Sequence, residues 1–356
     1  MLRIKIIPHW ELGRETDVSL DTTDLLALLA SIQESGAIAH GARSMGLSYR
    51  HAWGHIKRAE TLFGHRLLDA ARGRGSTLTP LAEKLIWADR RISARLSPLL
   101  ESLASELENE LDRTLPRPAR ALRVHASHGF AVAALVRQLD AAQLPVELRY
   151  RNSLESVAAL SHGECDLAGF HVPIGDFERP AAQHYRRWLR DDAHRLVHLA
   201  VRTQGLFAAP GNPKRIRGLD DLKRKDLRFV NRPEGSGTRM LTELMFAKSA
   251  ISPGDVQGFE SAEFTHAAVA AFIASGMADV GIGVQTAAHR FGLHFIPLVR
   301  ERYFLALDRG AAEQAPMPQV LELLSSPAYR SAVAALVGYE AGETGRVLTV
   351  QEAFGP

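Results

Sequence analysis

Five consecutive residues, Gly235-Ser236-Gly237-Thr238-Arg239, combine two glycines, two hydroxyls and a guanidinium. They stand between a short apolar stretch, Leu227-Arg228-Phe229-Val230, and an amphipathic run from Met240 to Ala247 whose spacing predicts a helix. Glycine lets a backbone turn tightly and lie close to a ligand. The first turn of a helix leaves N–H groups unpaired at the positive end of its dipole. Hydroxyls and an arginine fork added to such a turn make a cradle for a small anion. The same residues also suit a serine N-cap with turn glycines, and the stretch alone does not decide between the two.

Three further junctions have the same character. Ser127-His128-Gly129 follows an apolar stretch and precedes a helical run from Phe130; Asn152-Ser153 follows Val146-Glu147-Leu148-Arg149-Tyr150; Thr265-His266 opens a run of small apolar residues. One such junction is most simply a cap, but four together favour an oxyanion site. The expected ligand-binding set is therefore Ser127, His128, Asn152, Ser153, Gly235, Ser236, Gly237, Thr238, Arg239, Thr265 and His266. For His128 and His266, donation to the anion and a structural hydrogen bond at a helix start stand level. The histidines show no metal-ligand spacing, so neither metal nor cofactor is expected. An enzyme, a transferase or lyase using Ser127 and His128, is the alternative reading. Against it, no acid is placed to orient the histidine and no Gly-x-Ser-x-Gly elbow occurs, so no catalytic residue is assigned.

From residue 121 short apolar strands alternate with helical runs, the pattern of an α/β domain. The order helix, Gly-x-x-Asp, apolar strand occurs twice, around Gly163-Glu164-Cys165-Asp166 and around Gly276-Met277-Ala278-Asp279. This echo predicts two similar lobes, with the apolar stretch from Leu196 to Pro210 carrying the chain between them. Ligands of such proteins bind in the cleft where strands end and helices begin.

The first hundred residues differ. Alternation over residues 3–10 predicts a strand, and a helix follows Asp21-Thr22-Thr23-Asp24. A short small-residue helix then runs into Gly46, and Ser48 caps a second helix from Tyr49, the arrangement of a helix-turn-helix. Ala52, Ile56, Ala59 and Phe63 share one face of that second helix. The opposite face offers base and phosphate donors, and the expected DNA-binding set is Ser48, Tyr49, Arg50, His51, His55, Lys57 and Arg58. A hairpin over residues 66–78 with a Gly/Arg tip adds Arg72 and Arg74 as a wing. Between Arg43 and Arg95 stand eleven Lys and Arg against four acids, a concentrated positive charge suited to nucleic acid. A solvated basic face on a generic helical domain is the bland alternative, and the agreement of turn, face and wing favours DNA. From Leu81 to about Leu111 the apolar spacing predicts a long helix, a dimerisation arm, with Pro98 inside it. A Pro-rich hinge follows over residues 115–120.

The chain has 356 residues, 46% apolar and 23% charged, with a formal net charge of +3, values of an ordinary globular protein of two or three domains. Cys165 is the single cysteine, which rules out an intrachain disulfide framework and points to a reducing, cytoplasmic setting. No apolar stretch reaches the ~18 residues of a membrane span, and no signal peptide is expected.

Residues 1–112 resemble the winged-helix heads of LysR-type and, more closely, molybdate-responsive regulators. Gly36-Ala37-Ile38, Met45-Gly46-Leu47-Ser48, the helix from Tyr49 and the Arg-Gly-rich wing carry that resemblance. Residues 120–310 resemble the type 2 periplasmic-binding-protein fold, and within it the molybdate-binding-protein-like domains fused to such heads. Ser127-His128, Gly163 to Gly169, Arg202-Thr203-Gln204-Gly205, Asn231 to Arg239, Gly276 to Gly283 and Glu301-Arg302-Tyr303 carry it. The resemblance implies an α/β architecture: a winged helix-turn-helix over residues 1–78, a linker and dimerisation helix over 79–113, and a two-lobed sensing domain over 121–356. It implies a homodimer or homotetramer on a double-stranded DNA operator, with a small anion effector. Regulators of formate dehydrogenase operons share this architecture, so formate stands beside molybdate and tungstate.

Overall fold

In the computed structural model the described residues are 4–13, 20–71, 75–114 and 121–355. Two compact units divide the chain, Ile7–Leu96 and the chain from Ser97 onward together with the first six residues.

In the first unit, helices Thr23–Ser35, Ile38–Ser44 and Tyr49–Phe63 precede an antiparallel hairpin of Leu68–Ala71 with Gly75–Leu78. Gly46, at φ +67°, supplies the left-handed turn between the second and third helices. Ser48 caps the third helix by accepting from His51 N at 3.2 Å. Ala52, Ile56 and Ala59 face a core with Leu25, Leu28, Leu29 and Ile32, and Phe63 packs partly buried against it. The strand expected over residues 3–10 does not form. The described residues 4–10 have no sheet partner, and Ile7 is 60% exposed; pairing is confined to Glu11–Leu12 with Leu20–Asp21. The segment's ends are tied by other means: Ile4 N donates to Glu108 Oε1 at 2.5 Å, and Trp10 O accepts from Thr22 N at 3.2 Å. The long helix spans Pro80–Thr114 and continues through Pro98.

The second unit is built on one nine-stranded sheet. Seven strands run in the order Val146–Tyr150, Leu122–Ala126, Leu167–Pro173, His294–Asp308, His194–Ala208, Val280–Val284, Phe229–Val230, and the short strands Tyr339–Glu340 and Val347–Leu348 pair with His194–Ala208. Strands His194–Ala208 and His294–Asp308 pair antiparallel over nearly their whole lengths and run through both lobes. The expected connection between lobes is therefore one of two twin strands. In the first lobe, Leu122, Val124, Leu135 and Leu139 share a core with Tyr303, Leu305 and Tyr329. In the second, Leu206, Phe229, Phe246, Phe259 and Ile282 do so.

The repeated Gly-x-x-Asp has a physical counterpart in each lobe. Arg123 donates to both carboxylate oxygens of Asp166, from Nη2 at 2.7 Å and Nε at 3.3 Å, and from Nη1 to the carbonyl of Gly163 at 2.9 Å. Arg228 donates to both oxygens of Asp279, at 3.0 and 3.1 Å, and to the carbonyl of Gly276 at 2.8 Å. Both glycines take positive φ, +73° and +75°, at the end of a helix. Each clamp ties the turn between a helix and its following strand to the neighbouring parallel strand, Leu122–Ala126 in the first lobe and Phe229–Val230 in the second.

Residues Ser102 and Ser105 of the long helix satisfy the sheet's outermost strand. Their hydroxyls accept from Tyr150 N at 3.0 Å and Leu148 N at 2.9 Å, closing an edge that would otherwise expose unpaired donors.

Candidate functional site

Strand alternation inside the second unit turns Arg202 and Gln204 of His194–Ala208 to one side, toward Glu301 of His294–Asp308. Arg202 Nε donates to Glu301 Oε1 at 2.5 Å, and Gln204 Nε2 donates to the same oxygen at 2.9 Å and to Thr238 Oγ1 at 2.9 Å. Arg202 is 2% exposed and Glu301 1%. A second guanidinium, Arg232, is 5% exposed and donates from Nη2 to the carbonyl of Phe264 at 2.7 Å. Burial and then the charge of Arg202 lower its pKa to about 9, with Glu301 opposing. For Arg202, burial pulls the pKa down but Glu301 and Tyr339 outweigh it, leaving it raised.

Two histidines complete the group. His171 stacks on Tyr303 with ring centroids 3.9 Å apart, and its Nδ1 lies 3.4 Å from Ser153 Oγ. Burial first, then Arg202 and Arg232, hold its pKa well below the ordinary value. Burial and then Arg232, Arg202 and His171 do the same to His266. Both imidazoles are therefore neutral at pH 7. Several buried polar atoms here have no protein partner: Arg202 Nη1, Arg232 Nε, His171 Nε2, His266 Nδ1 and Gln204 Oε1. Orphaned guanidinium nitrogens away from water are costly, which makes this cluster the candidate site.

The residues expected from the sequence fall into two groups. Ser127, Ser153, Gly237, Thr238 and His266 lie around the two arginines, together with Gly129, which was not in the expected set. A Cβ on Gly129 would stand 3.8 Å from Arg202 Nη1, and one on Gly237 would meet Ser153 Oγ at 3.4 Å. The side chains of Asn152, Ser236 and Thr265 are taken up as N-caps, accepting from Glu155 N, Arg239 N and Ala268 N at 2.9, 3.1 and 2.8 Å. Gly235, at φ +78°, makes a turn that brings its backbone against Asn152, where a Cβ would meet Nδ2 at 2.7 Å. Arg239 is engaged elsewhere: Nε donates to Glu243 at 2.6 Å, and the guanidinium lies 4.1 Å over the Phe259 ring. His128 is half-buried against Tyr150, with Nε2 3.8 Å from Glu101 of the long helix.

Arg202, Gln204, Arg232, His171 and Glu301 were not among the expected residues. A signal existed for three of them. Arginine, glutamine and glutamate inside long apolar strands must be buried, and buried charge requires a partner.

In the first unit, Ser48, Tyr49, Arg50, His51, Lys57 and Arg58 are exposed and His55 half-buried on the outer face of helix Tyr49–Phe63. Trp53 joins them: it stacks on Tyr49 at 6.5 Å and lies 4.8 Å beneath Lys57 Nζ. His51 and His55 meet through their Nε2 atoms at 2.9 Å. Burial, then Arg58 and His51, lower the pKa of His55. Arg72 and Arg74 lie outside the described residues.

Residues 136–325 match the family model of the PBP superfamily domain, and residues 23–83 that of the bacterial regulatory helix-turn-helix protein, lysR family. The first match spans more than half of the chain, which therefore belongs to the PBP superfamily domain family and carries a lysR-type head. The chain is 35% identical over 200 residues to the uncharacterized protein YvgK of Bacillus subtilis (strain 168), covering 56% of this chain and 64% of that protein. It is 33% identical over 172 residues to the molybdenum-pterin-binding protein MopB of Rhodobacter capsulatus, covering 42% and 63%. Over 65 residues, 17% of this chain and 25% of that protein, it is 40% identical to the transcriptional regulator ModE of Yersinia pestis. The chain thus spans just under two thirds of the first two relatives. Among the described residues no helix is long and apolar enough to cross a membrane, and no group of three His, Cys, Asp or Glu is arranged to hold a metal ion.

Proposed function

We propose that this chain is a cytoplasmic transcription regulator that binds a double-stranded DNA operator through its helix-turn-helix head and senses a small anion in the cleft of its second unit. One observation carries the reading. Two buried guanidiniums stand close enough to repel each other, and each keeps a nitrogen without a protein partner. An anion between Arg202 and Arg232 would supply the missing acceptor and relieve that repulsion. The helix starts at Phe130, Ser153, Gly237 and His266 would add N–H groups and dipole. Molybdate, tungstate and formate are the candidate effectors. The name of the R. capsulatus relative favours molybdate, and the resemblance to formate dehydrogenase regulators favours formate.

In this reading the head is residues 1–78, the helix 79–113 and the sensor 121–356. Arg202 rises from a strand shared by both lobes, whereas Arg232 and His266 belong to the second. An anion held by both sets favours a closed cleft, by no more than its difference in affinity for the two states. The long helix offers a route to the head, because Ser102 and Ser105 are bound to the sensor's edge strand. Leu99, Leu103, Leu107 and Leu111 are exposed at every fourth position of that helix, an apolar stripe suited to a second copy in a homodimer or homotetramer.

Thermal denaturation with molybdate, tungstate, sulfate, phosphate, formate and nitrate tests the reading, since a ligand of the folded state raises its stability. At least one of these raises the Tm of the wild-type chain, and none raises that of Arg232→Ala, while both chains bind DNA alike. A wild-type chain unmoved by all, or an Arg232→Ala chain that responds as the wild type does, contradicts it.

A further inference from the structure

The charges around the two arginines set what kind of anion fits. Glu301 Oε1 is held by Arg202 Nε at 2.5 Å and Gln204 Nε2 at 2.9 Å, so this carboxylate is fixed inside the site and offsets one of the two guanidiniums. It is also the carboxylate that acts on Arg232. His171 and His266 add no charge, since burial and both arginines keep them neutral. Two cations and one anion leave a single positive charge facing the orphaned nitrogens Arg202 Nη1 and Arg232 Nε.

We propose that the site selects small, singly charged oxyanions over doubly charged ones, and that Glu301 is the residue that sets this selectivity. The inference rests on the anion-sensing reading above and narrows its ligand class. A monoanion closes the charge of the site to neutrality. A dianion leaves one negative charge unbalanced where water is excluded, close to a fixed carboxylate. Arg202 has its Nε committed to Glu301, so it offers the ligand one side of its fork, and Arg232 offers a second donor. Two unpaired guanidinium donors match in number the two oxygens of a carboxylate or nitrate group. Gln204 Oε1 has no partner and can only accept, because its amide nitrogen is fixed by Glu301 and Thr238. An acceptor in the site weighs further against an anion rich in charged oxygens.

The test is calorimetric titration of the full chain, in chloride-free buffer, with formate and nitrate against sulfate and molybdate. The wild-type chain binds a monoanion at least about tenfold more tightly than either dianion. Glu301→Gln keeps an acceptor for Arg202 but removes the charge, and it shifts that ratio toward dianions by about tenfold or more. Glu301→Asp, which keeps the charge, retains the monoanion preference. Tighter binding of sulfate or molybdate by the wild type overturns the selectivity and leaves the anion-sensing reading standing; so does a ratio unmoved in a folded Glu301→Gln chain. Absence of binding by all four anions sinks the anion-sensing reading itself. Should Glu301→Gln not fold, the wild-type ratio alone decides.

Discussion

Arginine does opposite work in the two units. On the helix Tyr49–Phe63, Arg50 and Arg58 lie in water on the face turned away from Ala52, Ile56 and Ala59. Their charges are solvated and need no protein counter-ion. Arg202 and Arg232 are almost fully enclosed, and removing a guanidinium from water carries a penalty of several kcal/mol. Glu301 and the stacked Tyr303 region absorb that penalty for Arg202, whose guanidinium lies 5.7 Å from the Tyr303 ring. Arg232 has a backbone carbonyl and a neighbour of its own sign. In the function proposed above, the first unit offers an open surface to a polyanion and the second an internal imbalance that a small anion would settle. The difference shows why exposed charge speaks for steering and contact, whereas buried charge speaks for a specific ligand.

That contrast can be broken by mutation, and the largest effect is expected at Arg202. Arg202→Ala leaves Glu301 buried without its cation, and unfolding free energy falls by about 3–5 kcal/mol in urea denaturation. Arg50→Ala, at an exposed position, changes stability by no more than about 0.5 kcal/mol. Equal losses at the two sites would abolish the distinction.

Acid gives the next largest effect. Burial first, then Arg151 and Arg149, lower the pKa of His125 to about 4; burial, opposed by Glu343, lowers that of His198 to about 4. The unfolded chain takes up these protons below its ordinary value of 6.5, and the folded chain does not until about 4. Stability of the second unit therefore falls as pH drops from 6.5 toward 4, by roughly 3 kcal/mol per histidine at the limit. Calorimetric scans across that range should show a falling Tm, and a flat one would place these histidines in water.

Smaller effects separate caps from grip. Ser236→Ala and Thr265→Ala each remove one N-cap bond, lowering stability by about 1 kcal/mol. Arg239→Ala breaks the contacts with Glu243 and Phe259 and leaves anion affinity unchanged. Loss of affinity in Arg239→Ala would return the grip to the glycine-rich stretch.

Much of the molecule was legible in the sequence because it follows from local rules. Helical spacing gave the face of the third helix, Gly46 and Ser48 gave its turn and cap, and the twice-repeated Gly-x-x-Asp gave the two lobes. The ends of helices near the cleft were found for the same reason. Which of the charged groups meet there was not legible locally. Arg239 stands in the cradle motif, but one helical turn away Glu243 takes its guanidinium. Arg202 meets Glu301 only because two strands 99 positions apart share a register. The missed strand pairing also explains residues 4–10, whose alternation suits a sheet edge that the fold does not offer.

The most direct measurement of the central claim follows DNA binding by the full chain, with and without the anion that stabilises it, in wild type and Arg232→Ala. The anion is expected to change operator affinity in the wild type and to leave it unchanged in Arg232→Ala, with equal affinities when no anion is added. An Arg232→Ala chain whose operator affinity still responds to the anion would contradict it.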